Sequence, residues 1–176
     1  MSFDIIPVWN NVTPELTAEL VELWGRHGAI PDAARAAARA RQAVCIARDA
    51  DGAVCAVGTA LVRVLPRLRQ PMYYYRQFFS PDFRGQGKAI AFLNQARQLL
   101  QEYNAGLEKP ESLGVLLELE NRFLATHYNR AYEPSADSTF IGYSPKGLQL
   151  RASYFEDARL LPPVALVQRR QAAKAA

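Results

Sequence analysis

The stretch Phe78-Phe79-Ser80-Pro81-Asp82-Phe83-Arg84-Gly85-Gln86-Gly87-Lys88-Ala89 joins a strand to a helix through a glycine-bearing turn, and that junction decides the fold. Ahead of it, Met72 to Phe79 is apolar and aromatic, the composition of a strand, and Pro81 lacks the N–H that a ladder needs and so ends it. Behind it, Ile90, Leu93, Ala96 and Leu100 recur at helical spacing, and the helix closes near Asn104-Ala105-Gly106. The first N–H groups of a helix have no internal partner, and its dipole is positive at that end. A turn of Arg84-Gly85-Gln86-Gly87 there suits a phosphate group: glycine lets the backbone approach the ligand, and Arg84 and Lys88 add charge.

Upstream, Phe3 to Trp9 reads as a first strand, with Pro7 marking an edge or an end. Thr13 is an N-cap with Pro14 at the first helical position, and Leu16, Leu20, Leu23 and Trp24 follow until Gly25 and Gly28 stop the helix. Asp32 opens a second, alanine-rich helix from Ala33 to Gln42. Its Arg35 and Arg39 share a face, which is either a solvated stripe or one that meets a substrate. Ala43 to Arg48 and Ala53 to Leu65 form a hairpin around Asp49-Ala50-Asp51-Gly52, with Gly58 marking a bulge, and a basic loop from Pro66 to Pro71 returns to the strand at Met72.

Downstream, Gly114 to Glu120 is a buried strand that turns polar at its end. Asn121 then caps a helix carrying Phe123, Leu124, His127, Tyr128 and Ala131, which Pro134 ends. Thr139 to Ser144 and Leu148 to Phe155 make a last hairpin around Pro145-Lys146-Gly147. Residues 1–160 read as one domain, and the tail 161–176 as partly disordered, loosening beyond about Val167. The order β-α-α-β-β-β-α-β-α-β-β is that of an α/β domain with a mixed sheet.

Bulk composition sets the outer limits. Of 176 residues 49% are apolar and 22% charged, which is a globular composition with enough chain to bury a core. There is no apolar run long enough to span a bilayer, and Met1-Ser2-Phe3-Asp4 lacks a signal-peptide pattern, so the cytoplasm is the expected compartment. Cys45 and Cys55 sit in strand-like runs as small buried residues, and two Cys with two separated His make no metal cluster. The net charge of +4 is spread over small groups such as Arg63, Arg67 and Arg69, the pattern of a solvated surface rather than one basic run.

This order, with Arg84, Gly87 and Ala89 in the places of a signature turn (Arg or Gln, two residues, Gly, one residue, Gly or Ala), resembles the GNAT superfamily of acyl-CoA-dependent N-acyltransferases. A second match is Asn121 after the buried strand, with Tyr128 seven residues on. The resemblance implies an α/β (α+β) fold with a mixed, mostly antiparallel twisted sheet of about seven strands and helices on both faces. It implies that acetyl-CoA is bound by Phe78, Phe79, Arg84, Gly85, Gln86, Gly87, Lys88, Ala89 and Asn121, with no metal. A spacing of seven would put Asn121 and Tyr128 on one helical face. The chain departs from the family pattern at Lys88, where an apolar residue is usual, and at Tyr132-Glu133, where Gly-Phe is common. It departs again along Met72 to Phe79, which holds no carboxylate.

An amine that attacks a thioester must be neutral, so the site needs a base, a donor for the carbonyl oxygen and an acid for the thiolate. The resemblance makes a backbone N–H at Phe78 or Phe79 the oxygen donor and Tyr128 the acid. Glu118 and Glu120 share strand parity, and a carboxylate in an apolar strand should have a raised pKa suited to a base; Glu118 is preferred over Glu120, with His127 a lesser candidate. Expected partners are acyl-CoA and an amine-bearing small molecule or protein, with a homodimer admitted and no membrane. The acceptor would lie between the helices of Thr13 to Gln42 and the hairpin after Thr139. A non-catalytic or regulatory acyl-CoA-binding module is the alternative. A nucleic-acid-binding protein ranks third, because Tyr73, Tyr74 and Tyr75 face alternate sides of their strand.

Overall fold

The computed structural model describes residues 4–85 and 87–165. Among these the strands are β1 (Ile5–Pro7), β2 (Ala43–Arg48), β3 (Val54–Leu65), β4 (Gln70–Phe79), β5 (Gly114–Leu119), β6 (Tyr132–Glu133), β7 (Ser138–Tyr143) and β8 (Gln149–Tyr154). The helices are α1 (Pro14–Arg26), α2 (Ala33–Ala40), α3 (Lys88–Ala105) and α4 (Arg122–His127). The strands form one sheet of eight in the order β1-β2-β3-β4-β5-β8-β7-β6. Every neighbouring pair is antiparallel except β4 with β5.

Helix starts follow the capping chemistry of the sequence. Thr13 Oγ1 accepts from the Leu16 N–H at 3.2 Å, and Asp32 Oδ1 from the Arg35 N–H at 2.7 Å. α1 continues through Gly25 to Arg26, two residues past Trp24, because Leu23 and Trp24 are buried and hold that turn against the sheet. α2 ends at Ala40 rather than Gln42, whose carbonyl accepts from the Ala60 N–H at 2.8 Å as the chain enters β2. The expected bulge lies on β2, between Ala43 and Cys45, opposite Thr59 and Gly58. Gly58 itself is required by crowding: a Cβ there would stand 2.5 Å from Tyr75 Oη.

β4 starts at Gln70, earlier than predicted. Pro71 is tolerated because alternation turns its missing N–H away from β3, so no bond of that ladder is lost. The eighth strand is Tyr132–Glu133, beyond the helix that was expected to run to Ala131. α4 stops at His127 because the carbonyls of Tyr128, Arg130 and Ala131 accept from the Arg151 guanidinium instead of from a continuing helix.

Two layers of helix cover the sheet. α3 lays Phe92, Leu93, Ala96 and Leu100 on the face of Tyr73, Tyr75, Val115 and Leu117. α1 and α2 lay Leu20, Trp24, Ala36 and Ala40 on the face of Ile46 and Val57. Cys45 and Cys55 are buried free thiols, and burial pushes Cys45 up to about 12. No helix among the described residues is long and apolar enough to cross a membrane. At the C-terminus Gln70 bonds both the N–H and the carbonyl of Leu161, and Val164 exchanges a backbone bond with Arg69, so the chain is tied down to Val164. The tail beyond Val167 lies outside the described residues.

One feature of the sheet positions the site. β4 remains paired with β3 as far as Phe79, and β5 with β8 as far as Leu119, yet β4 and β5 pair only from Tyr73 to Tyr75 and from Val115 to Leu117. Past those residues the two parallel strands part, and the sheet opens.

Candidate functional site

A cleft of about 830 Å³ occupies the opening. It is lined by Phe78, Phe79, Arg84, Gly85, Gly87, Lys88 and Ala89 on one side and by Glu118, Glu120, Asn121, His127 and Tyr128 on the other. These sequence-predicted residues therefore share one space; Gln86 lies outside the described residues.

Hydrogen-bond alternation along β4 decides which backbone groups face the opening. The Ser80 N–H bonds the Cys55 carbonyl of β3, and the Tyr73 N–H bonds Ser112 Oγ on the β5 side. Even positions thus address β3 and odd positions address β5. At the end of β4 it is Gln77 and Phe79, not Phe78, whose N–H groups point into the gap. Phe78 contributes its ring instead, which lies 5.9 Å from His27 and 5.5 Å from the Arg84 guanidinium.

The turn after β4 has the conformation its glycines imply. Gly85 has φ +77 and Gly87, the N-cap of α3, has φ +70; added Cβ atoms would meet nothing within 4 Å. Backbone angle, not crowding by the described residues, demands glycine at both positions. Gln77 Nε2 reaches the Ala89 carbonyl at 3.3 Å and ties the turn to the strand. Arg84 Nε donates to the Phe79 carbonyl at 2.9 Å, so Arg84 braces the strand end as well as adding charge. Lys88 Nζ stands 5.4 Å from the Phe83 ring centre.

Asn121 caps α4, its Oδ1 accepting from the N–H groups of Phe123 at 2.9 Å and Leu124 at 3.4 Å. Tyr128 is the C-cap of this short helix, with φ −93 and ψ 70; its N–H still bonds the Leu124 carbonyl at 2.8 Å, and it lines the same cleft as Asn121. Tyr128 reaches the cleft from the loop that Arg151 gathers. Burial, with a smaller contribution from Glu133, raises its phenol above the ordinary value and keeps it protonated.

On the other sheet face, Glu118 and Glu120 point the same way, as parity predicted, and both meet Arg76: its Nη2 is 2.9 Å from Glu120 Oε1 and 4.0 Å from Glu118 Oε2. Tyr74 joins them, its Oη donating to Glu118 and accepting from Arg76 Nε at 2.9 Å and Nη2 at 2.6 Å. Glu118 does not have the raised pKa expected of a carboxylate in an apolar strand. Burial pushes its carboxyl up, but hydrogen bonds from Tyr74 and Ser144 and the charges of Arg76 and Lys146 outweigh it and hold the group below its ordinary value.

Three residues of the site escaped sequence reasoning, Tyr74, Arg76 and Arg151, while Arg39, which the sequence placed on a stripe either solvated or facing a substrate, lines the cleft. Tyr74 and Arg76 carried a signal, since they stand at alternate positions of an apolar strand, where polar groups on one face invite a function. Arg151, between Leu150 and Ala152 in a predicted strand, carried one too: its side chain is fully buried, and its Nε, Nη1 and Nη2 donate to Ser138, Gln149 and the carbonyls after α4.

No protein-family model matches the chain, and no curated protein sequence matches it. Solved structures do. A GNAT-superfamily phosphinothricin acetyltransferase from Sinorhizobium meliloti, in complex with acetyl-CoA, superposes with a TM-score of 0.60 at 15% identity, covering 97% of this chain and 98% of that one. A GNAT-family acetyltransferase from Streptococcus pneumoniae gives 0.55 at 12% identity, over 88% of this chain and 100% of that one. A Corynebacterium glutamicum protein described as histone acetyltransferase HPA2 and related acetyltransferase gives 0.52 at 20% identity, over 93% and 100%. The mixed, mostly antiparallel sheet with helices on both faces is the GNAT fold.

Proposed function

Starting from the GNAT fold, we propose that this protein is an N-acyltransferase that moves an acetyl or short acyl group from acyl-CoA to a primary amine by direct attack. The observation that carries the reading is the parting of β4 from β5 beside a left-handed Gly85 and Gly87 turn at the start of α3. A slot between strands takes an extended arm, and a helix start beside it takes the phosphates at one end of that arm.

Bound acetyl-CoA would supply a thioester as the acyl donor. Gly85, Gly87 and Lys88 hold its pyrophosphate against the α3 dipole. The N–H groups of Gln77 and Phe79 suit the pantetheine amides and the carbonyl oxygen, on which negative charge develops during attack. Tyr128, kept protonated, gives its proton to sulfur as the C–S bond breaks. A carboxylate takes the amine proton as the C–N bond forms. Glu120 suits that role better than Glu118: its side chain is 57% exposed against 11%, and Glu118 already accepts from Tyr74.

The test is release of free CoA thiol from acetyl-CoA in the presence of a panel of primary amines. Amine-dependent release supports acyl transfer. Binding of CoA without release from any amine supports instead the non-catalytic module, a reading favoured by the lack of a carboxylate along Met72 to Phe79.

A further inference from the structure

Across the cleft from the glycine turn, α2 sends two arginines in different directions. Arg35 is exposed, whereas Arg39 is half-buried and lines the cleft. Arg39 Nε donates to Thr59 Oγ1 at 3.2 Å, and its guanidinium lies 5.7 Å from the centre of the buried Trp24 ring. Thr59 in turn donates to the Arg76 carbonyl at 3.3 Å. The neck of the Arg39 side chain is thus fixed, and its two Nη groups are left to the cleft.

Among the described residues no carboxylate lies within ion-pair distance of Arg39, while the two carboxylates nearby, Glu118 and Glu120, engage Arg76. A partly buried cation without a counter-charge is unfavourable. Burial and the neighbouring Arg76 charge push Arg39 down to about 10, against the opposing pull of Glu120. A planar fork fixed at one edge presents the geometry that a carboxylate takes in bidentate fashion.

Position adds the rest. Thr59 stands directly across from Arg76 in the β3–β4 register, and the parting of β4 from β5 begins at Arg76. Arg39 therefore stands about one strand spacing, roughly 5 Å, from the mouth of the opening. The wall beside it is apolar: Trp24, Ala29, Ile30 and Phe78.

We infer that Arg39 is the anion-binding group of the acceptor subsite, and that the acceptor is an amino acid or a close analogue, a primary amine with a carboxylate a few bonds away. The fate of the amine rests on the acyl-transfer reading; the binding of the anion does not. A polyamine or other polycation would meet Arg39 and Arg76 with like charge.

Calorimetry on the full chain, with and without CoA, tests this using the proteinogenic L-amino acids against their matching amides, with spermidine as the polycation. At least one acid should bind, with its amide weaker by about 10- to 100-fold. Arg39→Gln should erase that preference and Arg39→Lys should keep part of it. In the transfer assay the loss should fall on KM rather than kcat. Acids and amides binding alike, no acid binding, spermidine binding best, or a preference surviving Arg39→Gln would each overturn the inference. Should Arg39→Gln not fold, the acid-against-amide comparison in the unmodified chain decides alone. Acid binding through Arg39 without CoA binding would sink acyl transfer and keep the subsite; CoA binding without an acid preference would do the reverse.

Discussion

The Arg151 guanidinium, fully buried on β8, donates to the backbone carbonyl of Tyr128 across 3.4 Å and to that of Arg130 across 2.8 Å. A strand beside β5 thereby holds the loop that brings Tyr128 to the cleft. Replacing Arg151 with Met leaves those carbonyls and Ser138 without their donor. It should cost about 2–4 kcal/mol and lower Tm by roughly 5–15 °C. Arg151→Lys should recover only part, since one ammonium cannot span the same fork of acceptors. Melts followed by circular dichroism check this, and a loss under about 0.5 kcal/mol for Arg151→Met would refute the bracing role.

Glu118 links stability to pH. Its folded pKa lies below the ordinary value of 4.5, so its ionised form stabilises the fold above that value, and the contribution is lost as pH falls through the lowered pKa. Glu118→Gln should therefore be less stable than the parent at neutral pH, and the gap should close in acid. Urea melts from neutral pH down through the carboxylate range measure it. A gap that stays constant with pH would show that the Tyr74 and Arg76 contacts do not favour the charged form.

Tyr128→Phe removes the phenolic proton while keeping the ring. CoA should bind as before, and kcat should drop by about 100-fold or more, the usual scale of lost general-acid catalysis. Calorimetry and single-turnover rates separate the two effects. An unchanged rate would remove Tyr128 from proton transfer, and weaker CoA binding would make it a binding residue.

How far the sequence reached depended on how local each cause was. The Arg84 to Ala89 turn was legible because two glycines with positive φ and a helix start lie within a few residues of each other. The shared face of Glu118 and Glu120 followed from strand parity, which needs no distant partner, and Arg76 touches both. The end of α4 was not legible, because the donor that captures the carbonyls after it, Arg151, lies 23 residues beyond Tyr128. The direction of the Glu118 shift was hidden for the same reason: Tyr74, Ser144 and Lys146 come from separate segments. The stripe of Arg35 and Arg39 stayed open between solvent and substrate, because Thr59, which draws Arg39 inward, lies 20 residues on.

Acyl-CoA binding at the Gly85 and Gly87 turn stands beneath the rest, and the melting temperature of the full chain in a CoA titration probes it most directly. At one hundred times its dissociation constant, CoA should stabilise the fold by about 2.7 kcal/mol, or roughly 5–10 °C. Gly87→Val should still fold, at a cost of about 1–3 kcal/mol for a branched residue at positive φ, and should show no shift. The absence of a shift in the unmodified chain across a broad CoA range, or an equal shift in Gly87→Val, would contradict the proposed cofactor site.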